Sequence, residues 1–155
     1  MQITGEKGIG KILKIFLQIC FYGGIIVLIA LPFVLSKFGF GLGASMYVIY
    51  PNGIVLLIIT HKFIKLFNSL RINNPFCDEN VKTLKSTGVI SLVGSIFWLI
   101  DFLYEIFLAK SNDIILNCTL LFLSILFLGV SIALYILSNL LKQATEYKEE
   151  NELTI

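Results

Sequence analysis

Four apolar blocks, at about 15–35, 44–67, 85–108 and 114–141, take up most of this 155-residue chain. A helix needs about 20 residues, at about 1.5 Å each, to cross the roughly 30 Å of hydrocarbon in a bilayer. Each block is close to that length, and little chain remains for a water-soluble core. The chain is 57% hydrophobic and 14% charged, where soluble domains average roughly 45–50% and about 25%. The fold class expected is all-α: an integral membrane bundle of four transmembrane helices, forming one domain over residues 1–155.

The first block follows Lys7, Lys11 and Lys14, as a signal-peptide core would. It exceeds the typical ~7–15-residue core, and no A-x-A site follows, so it reads as a retained helix. Glycines 39, 41 and 43 suit a tight reversal into the second block. That block contains Pro51-Asn52-Gly53, which would end a soluble helix. In a bilayer such a break is tolerated where neighbours satisfy the freed backbone groups. A kink facing the bundle interior is therefore expected, serving packing alone or else a functional hinge or binding site. Between blocks two and three, Asn73-Asn74-Pro75 reads as a turn. A helix then begins near Cys77-Asp78-Glu79, with acids where its dipole favours them. The tail 142–155 is charged and continues the fourth helix.

Orientation follows from the basic residues. With both termini in the cytoplasm, ten of the twelve Lys and Arg residues fall in inner segments, five of them in the loop 61–85. Only Lys37 and Lys110 fall outside, which is the bias that orients membrane proteins. The outer loops are too short for a domain, so a macromolecular partner is expected on the cytoplasmic side.

Helices in lipid meet through small and polar side chains. The fourth block carries Asn117, Ser124, Ser131 and Ser138 at seven-residue spacing, which keeps one face toward a partner. The third carries Thr87, Ser91, Gly94, Trp98, Asp101 and Glu105 along one seam, and the first offers Cys20, Gly23, Val27 and Ala30. Three such stripes predict a compact bundle.

Asp101 and Glu105 share a helix face. Ionisable groups within a membrane are expensive and are functional candidates by default. With Tyr47, Tyr50 and Asn52 of the second block and Asn117 of the fourth, they can form a small outward-facing polar pocket for a cation, a proton or a peptide. The plainer reading is an interfacial pair partnered by Lys37 or Lys110. His61, the single histidine, reads as an interfacial anchor, and Cys20, Cys77 and Cys118 read as small apolar residues. No G-x-S-x-G, Walker, Rossmann or H-E-x-x-H pattern occurs. No catalytic residue, metal site or cofactor is expected, and neither is direct binding of nucleic acid.

The stretch from Arg71 to Leu84, containing Asn74-Pro75-Phe76 and Glu79-Asn80-Val81, resembles the NPF-x-x-ENV-x-x-L signature of the DUF2975 family, small bacterial four-span membrane proteins of unknown function. The ending KEEN-x-LTI, here Lys148 to Ile155, is similar to that family's acidic tail. Family members often carry threonine where this chain has Cys77, and a thiol is a poor substitute for a capping hydroxyl. The resemblance implies a multi-pass protein of the bacterial plasma membrane. Because such proteins are commonly encoded beside a very small helix-turn-helix regulator, it also implies a membrane partner of a transcription factor. Glu146, Glu149, Glu150 and Glu152, together with Asn74, Pro75 and Phe76, are the expected contact surface. A non-enzymatic regulatory role is thus the expected function. The alternatives are a small transporter or channel using the Asp101/Glu105 pocket, with homo-oligomers compatible, and an envelope stress or immunity protein.

Overall fold

The computed structural model describes residues 9–37, 44–71, 76–108 and 113–153. They form four helices in chain order: α1 (Ile9–Lys37), α2 (Ala44–Arg71), α3 (Asp78–Phe107) and α4 (Ile114–Leu153). α2 runs without interruption through Pro51-Asn52-Gly53. α3 starts where Cys77 adopts extended backbone, and the Cys77 side chain makes no capping hydrogen bond. The Cys77 carbonyl accepts the N–H groups of Asn80 and Val81 at 3.0 and 3.3 Å, and Asp78 and Glu79 supply the negative charge this terminus favours. α4 has a side-chain cap: Asp113 Oδ1 accepts the Leu116 N–H at 3.1 Å.

The tightest packing lies between α3 and α4. Serine hydroxyls cross from each helix to backbone carbonyls of the other. Ser91 Oγ donates to Phe127 O at 2.9 Å, Ser95 Oγ to Ser124 O at 2.9 Å, Ser124 Oγ to Ser95 O at 3.1 Å and Ser138 Oγ to Val81 O at 3.1 Å. Such bonds require backbones in near contact, and Gly88 permits it: a Cβ there would lie 3.2 Å from the Ser131 carbonyl oxygen. The seven-residue serine stripe of α4 is buried along this seam. Threonines behave differently. Thr60, Thr83, Thr87, Thr119 and Thr145 each donate to the carbonyl one turn back in their own helix, which satisfies a hydroxyl without any partner helix.

α1 packs on α2 through reciprocal glycine–leucine pairs. A Cβ on Gly24 would lie 2.9 Å from Leu57, and one on Gly53 would lie 2.6 Å from Leu28. Tyr50 Oη also donates to Leu28 O at 3.0 Å. The contact line of α1 therefore runs through Gly24 and Leu28, not through the stripe Cys20, Gly23, Val27, Ala30. Cys20 and Val27 are exposed, and nothing lies within 4 Å of where a Gly23 Cβ would be. Small residues alone did not define the face; the partner's leucines had to fill the notches. The compact bundle is also corrected. Each helix packs on its chain neighbours, and among the described residues no close backbone contact joins α1 to α3 or α4, or α2 to α4.

Burial is inverted relative to a soluble domain. Ten polar residues but only five hydrophobic ones are buried among the described residues, so the interior is the polar seam. Leucine, isoleucine and phenylalanine cover the outside, with Phe33, Ile115 and Phe122 each more than 60% exposed. In water this surface would drive aggregation, whereas in hydrocarbon it is solvated. Among the described residues three helices are long and apolar enough to cross a bilayer, over Lys11–Val34, Asp78–Phe107 and Ile114–Glu150.

Candidate functional site

The α2–α3 interface carries the polar residues of greatest interest. Asn52, Val55 and Ile59 are buried at alternating spacings of three and four, which turns one face of α2 onto α3. At one end Asn52 Nδ2 donates to Asp101 Oδ2 at 2.9 Å, with Asn52 only 3% exposed. A charge-assisted bond of this kind satisfies a carboxylate that would otherwise face hydrocarbon. At the other end Lys62 Nζ donates to Ser86 Oγ at 2.9 Å, and Lys65 pairs with Glu79 at 2.9 Å. Between them, Gly94 receives Val55 from α2 and Phe127 from α4, each 2.9 Å from where a Cβ would stand. Three helices meet at this glycine.

Of the pocket expected from sequence, the structure brings together Asp101 and Asn52. The Tyr50 hydroxyl turns instead to α1. Glu105 is partly exposed and makes no hydrogen bond or ion pair among the described residues. Asn117 is partly buried on the first turn of α4, where its N–H bonds the Asp113 carbonyl at 3.1 Å. The Tyr47 side chain lies outside the described residues. His61 packs against the ring of Phe21 at 5.6 Å between centroids. Among the described residues no three His, Cys, Asp or Glu side chains cluster as metal ligands would.

Sequence reasoning missed a cleft of about 370 Å³ between α1 and α3, floored by α2 and lined by Cys20, Gly24, Leu28, Leu56, Thr60 and Trp98 among others. It follows from the open helix order, which no hydropathy pattern announces. The glycine–leucine spacing of α1 and α2 was the available signal.

At the Lys62 end the Glu79-Asn80-Val81 stretch does packing work. Asn80 and Val81 are buried, the Val81 carbonyl receives Ser138, and Glu79 holds Lys65. Phe76 is 43% exposed. Asn74 and Pro75 lie outside the described residues. The burial of α4 ends at Thr145, which is 4% exposed. Beyond it Glu146, Tyr147, Glu149 and Glu150 are exposed, with Glu146 also 3.5 Å from Lys142. The Glu152 side chain lies outside the described residues.

Helices joined by polar seams, sheathed in apolar side chains and long enough to span a bilayer three times define a multi-pass membrane protein. The family model of DUF2975, described as a protein of unknown function, matches residues 12–155, so the chain belongs to that family. No match was found among the curated proteins or the solved structures.

Proposed function

We propose that this is a non-enzymatic regulatory protein of the bacterial plasma membrane, with α2 as a fourth span and both termini in the cytoplasm, where it holds a small basic DNA-binding regulator. The observation that carries this reading is the length and finish of α4. Its 40 residues extend about 60 Å, twice the hydrocarbon thickness. The buried face stops at Thr145, and the turns after it expose Glu146, Glu149 and Glu150. A rigid acidic helix end carried off the membrane suits long-range attraction of a basic partner, which raises the association rate and weakens with salt. Exposed Phe76 supplies an apolar anchor at the same end. Four spans also place ten of the twelve basic residues on the inner side.

The test is a pull-down from the native host in mild detergent with the full chain, a chain lacking residues 146–155, and Phe76→Ala. Both variants insert and keep their helix content but lose the partner. A partner retained by the shortened chain with unchanged affinity and salt dependence overturns the reading. The transporter reading has the Asn52–Asp101 contact in its favour, and proton- or cation-dependent flux in liposomes would support it instead.

A further inference from the structure

We propose that the outward face shared by α2 and α3 holds an anionic phospholipid, with the lipid phosphate seated among Lys62, Lys82 and Lys85. One hydrogen bond sets the level of the site. Lys62 Nζ donates to Ser86 Oγ at 2.9 Å, which brings the ammonium of α2 onto α3. Lys82 and Lys85 are exposed on the same side of α3. At about 100° per residue, Lys82 lies about 40° from Ser86 and about 60° from Lys85 around the helix. Among the described residues none of the three ammoniums makes an ion pair. The acids on this face are Asp78 and Glu79. Glu79 is already held by Lys65 at 2.9 Å, and Asp78 stands one turn before Lys82, away from the apolar part of the helix. Counting Lys65, four cations face two carboxylates. The depth of the site is fixed by α3: Lys85 is the last charge before the uncharged run 86–100. The three ammoniums therefore stand at headgroup level, where a phosphate is within reach.

The same face turns apolar directly beyond the lysines. On α3, Val89 and Ile96 follow Lys82 at seven-residue intervals and Val93 follows Ser86 by seven, so they continue the same side of the helix. All three are exposed. On α2, Ile58 and Ile54 lie one and two turns from Lys62 and are exposed as well. Because α2 and α3 run antiparallel, both rows lead from the lysines toward the middle of the bilayer. A phospholipid whose phosphate sits among the ammoniums lays its acyl chains along these rows. Charge then selects the headgroup. Lysines clustered beside a membrane helix attract anionic lipid, whereas the ammonium of a zwitterionic headgroup would meet like charge. The inference does not depend on any cytoplasmic partner.

The experiment titrates the full chain in maltoside micelles with phosphatidylglycerol or phosphatidylcholine of the same acyl chains and counts bound lipids by native mass spectrometry. The first phosphatidylglycerol is expected to bind more tightly than phosphatidylcholine. Lys62→Gln, Lys82→Gln and Lys85→Gln should each weaken it by about fivefold, and Lys85→Arg, which keeps the charge, should not. Lys82 and Lys85 are exposed, so their variants keep the fold, which circular dichroism checks. The controls are Lys11→Gln and Lys14→Gln on α1, which remove the same charge elsewhere and should leave the affinity unchanged. Equal affinity for the two lipids overturns the proposal. An equal loss in the α1 variants does so too, because it would mean a general attraction of charge. Displacement of phosphatidylglycerol by the same concentration of soluble glycerophosphoglycerol would show a site for a free anion, and would also overturn it.

Discussion

Gly88 offers the sharpest perturbation of the α3–α4 seam, because Gly129 of α4 provides its control. A Cβ at Gly88 meets backbone: the Ser131 oxygen at 3.2 Å, Leu134 Cβ at 3.5 Å and the Tyr135 nitrogen at 3.6 Å. None of these is the free end of a flexible side chain, so a leucine at Gly88 can be accommodated only by separating the two helices. Overpacking of this kind typically costs about 1–3 kcal/mol. Separation would also stretch the serine-to-carbonyl bonds on either side, at Ser91 and Ser138, each worth on average about 0.6 kcal/mol in a membrane bundle. At Gly129 nothing lies within 4 Å of the same Cβ. Gly129→Leu gains the same helix propensity, up to about 1 kcal/mol, with no clash. The difference between the two variants isolates the contact, at about 2 kcal/mol or more, equivalent to over tenfold in the folding equilibrium. The assay is reversible unfolding of the purified chain in mixed micelles of rising dodecyl sulfate fraction, followed by circular dichroism. Equal midpoints for Gly88→Leu and Gly129→Leu would refute the close approach of α3 and α4.

Further outcomes follow from the same geometry. Ser131→Leu, at a buried seam position, should lower the unfolding midpoint more than Leu128→Phe at an exposed one, and equal tolerance would count against the seam. Ser95→Ala and Ser124→Ala each delete a hydroxyl donated to a backbone carbonyl of the opposite helix and should each cost about 0.6 kcal/mol, and no more than about 1.7; an unchanged midpoint for both would mean the reciprocal bonds are not made. Asn52→Leu strips the donor from Asp101 and should cost about 1–3 kcal/mol, while Asn52→Leu with Asp101→Leu should cost less than the single change; strict additivity would sever the link. Glu79→Gln removes an ion pair whose partners are both more than half exposed, and the unfolding midpoint should move by less than the equivalent of about 1 kcal/mol.

The sequence exposed the α3–α4 seam well and the α1–α2 contact poorly, for one physical reason. On α3 and α4 most of the buried residues are serine, threonine, asparagine and glycine, which stand out against a background of leucine and isoleucine. On α1 half of each contact is a leucine, Leu28 or Leu57, and hydropathy cannot tell a leucine seated in a glycine notch from one facing lipid. The Asp101 anomaly was visible as a charge in an apolar block, but its partner had to be found in space, 49 residues away. Asp113 immediately precedes an apolar run and so carries the ordinary mark of an N-cap, the role in which it accepts the Leu116 N–H. The Glu79-Asn80-Val81 stretch was legible only as a resemblance, because its inward-facing role depends on where α4 passes.

Whether α2 spans the membrane decides whether the two ends of the chain share a side. The most direct measurement is labelling of intact cells with a membrane-impermeant maleimide, after Cys20, Cys77 and Cys118 have been replaced by serine. Single cysteines are placed in turn at Gln2, Ser111 and Glu149. Four spans with cytoplasmic termini predict labelling at Ser111→Cys alone, with Gln2→Cys and Glu149→Cys reacting only after permeabilisation. Labelling of one terminus but not the other from outside would mean an odd number of spans, and would contradict the account.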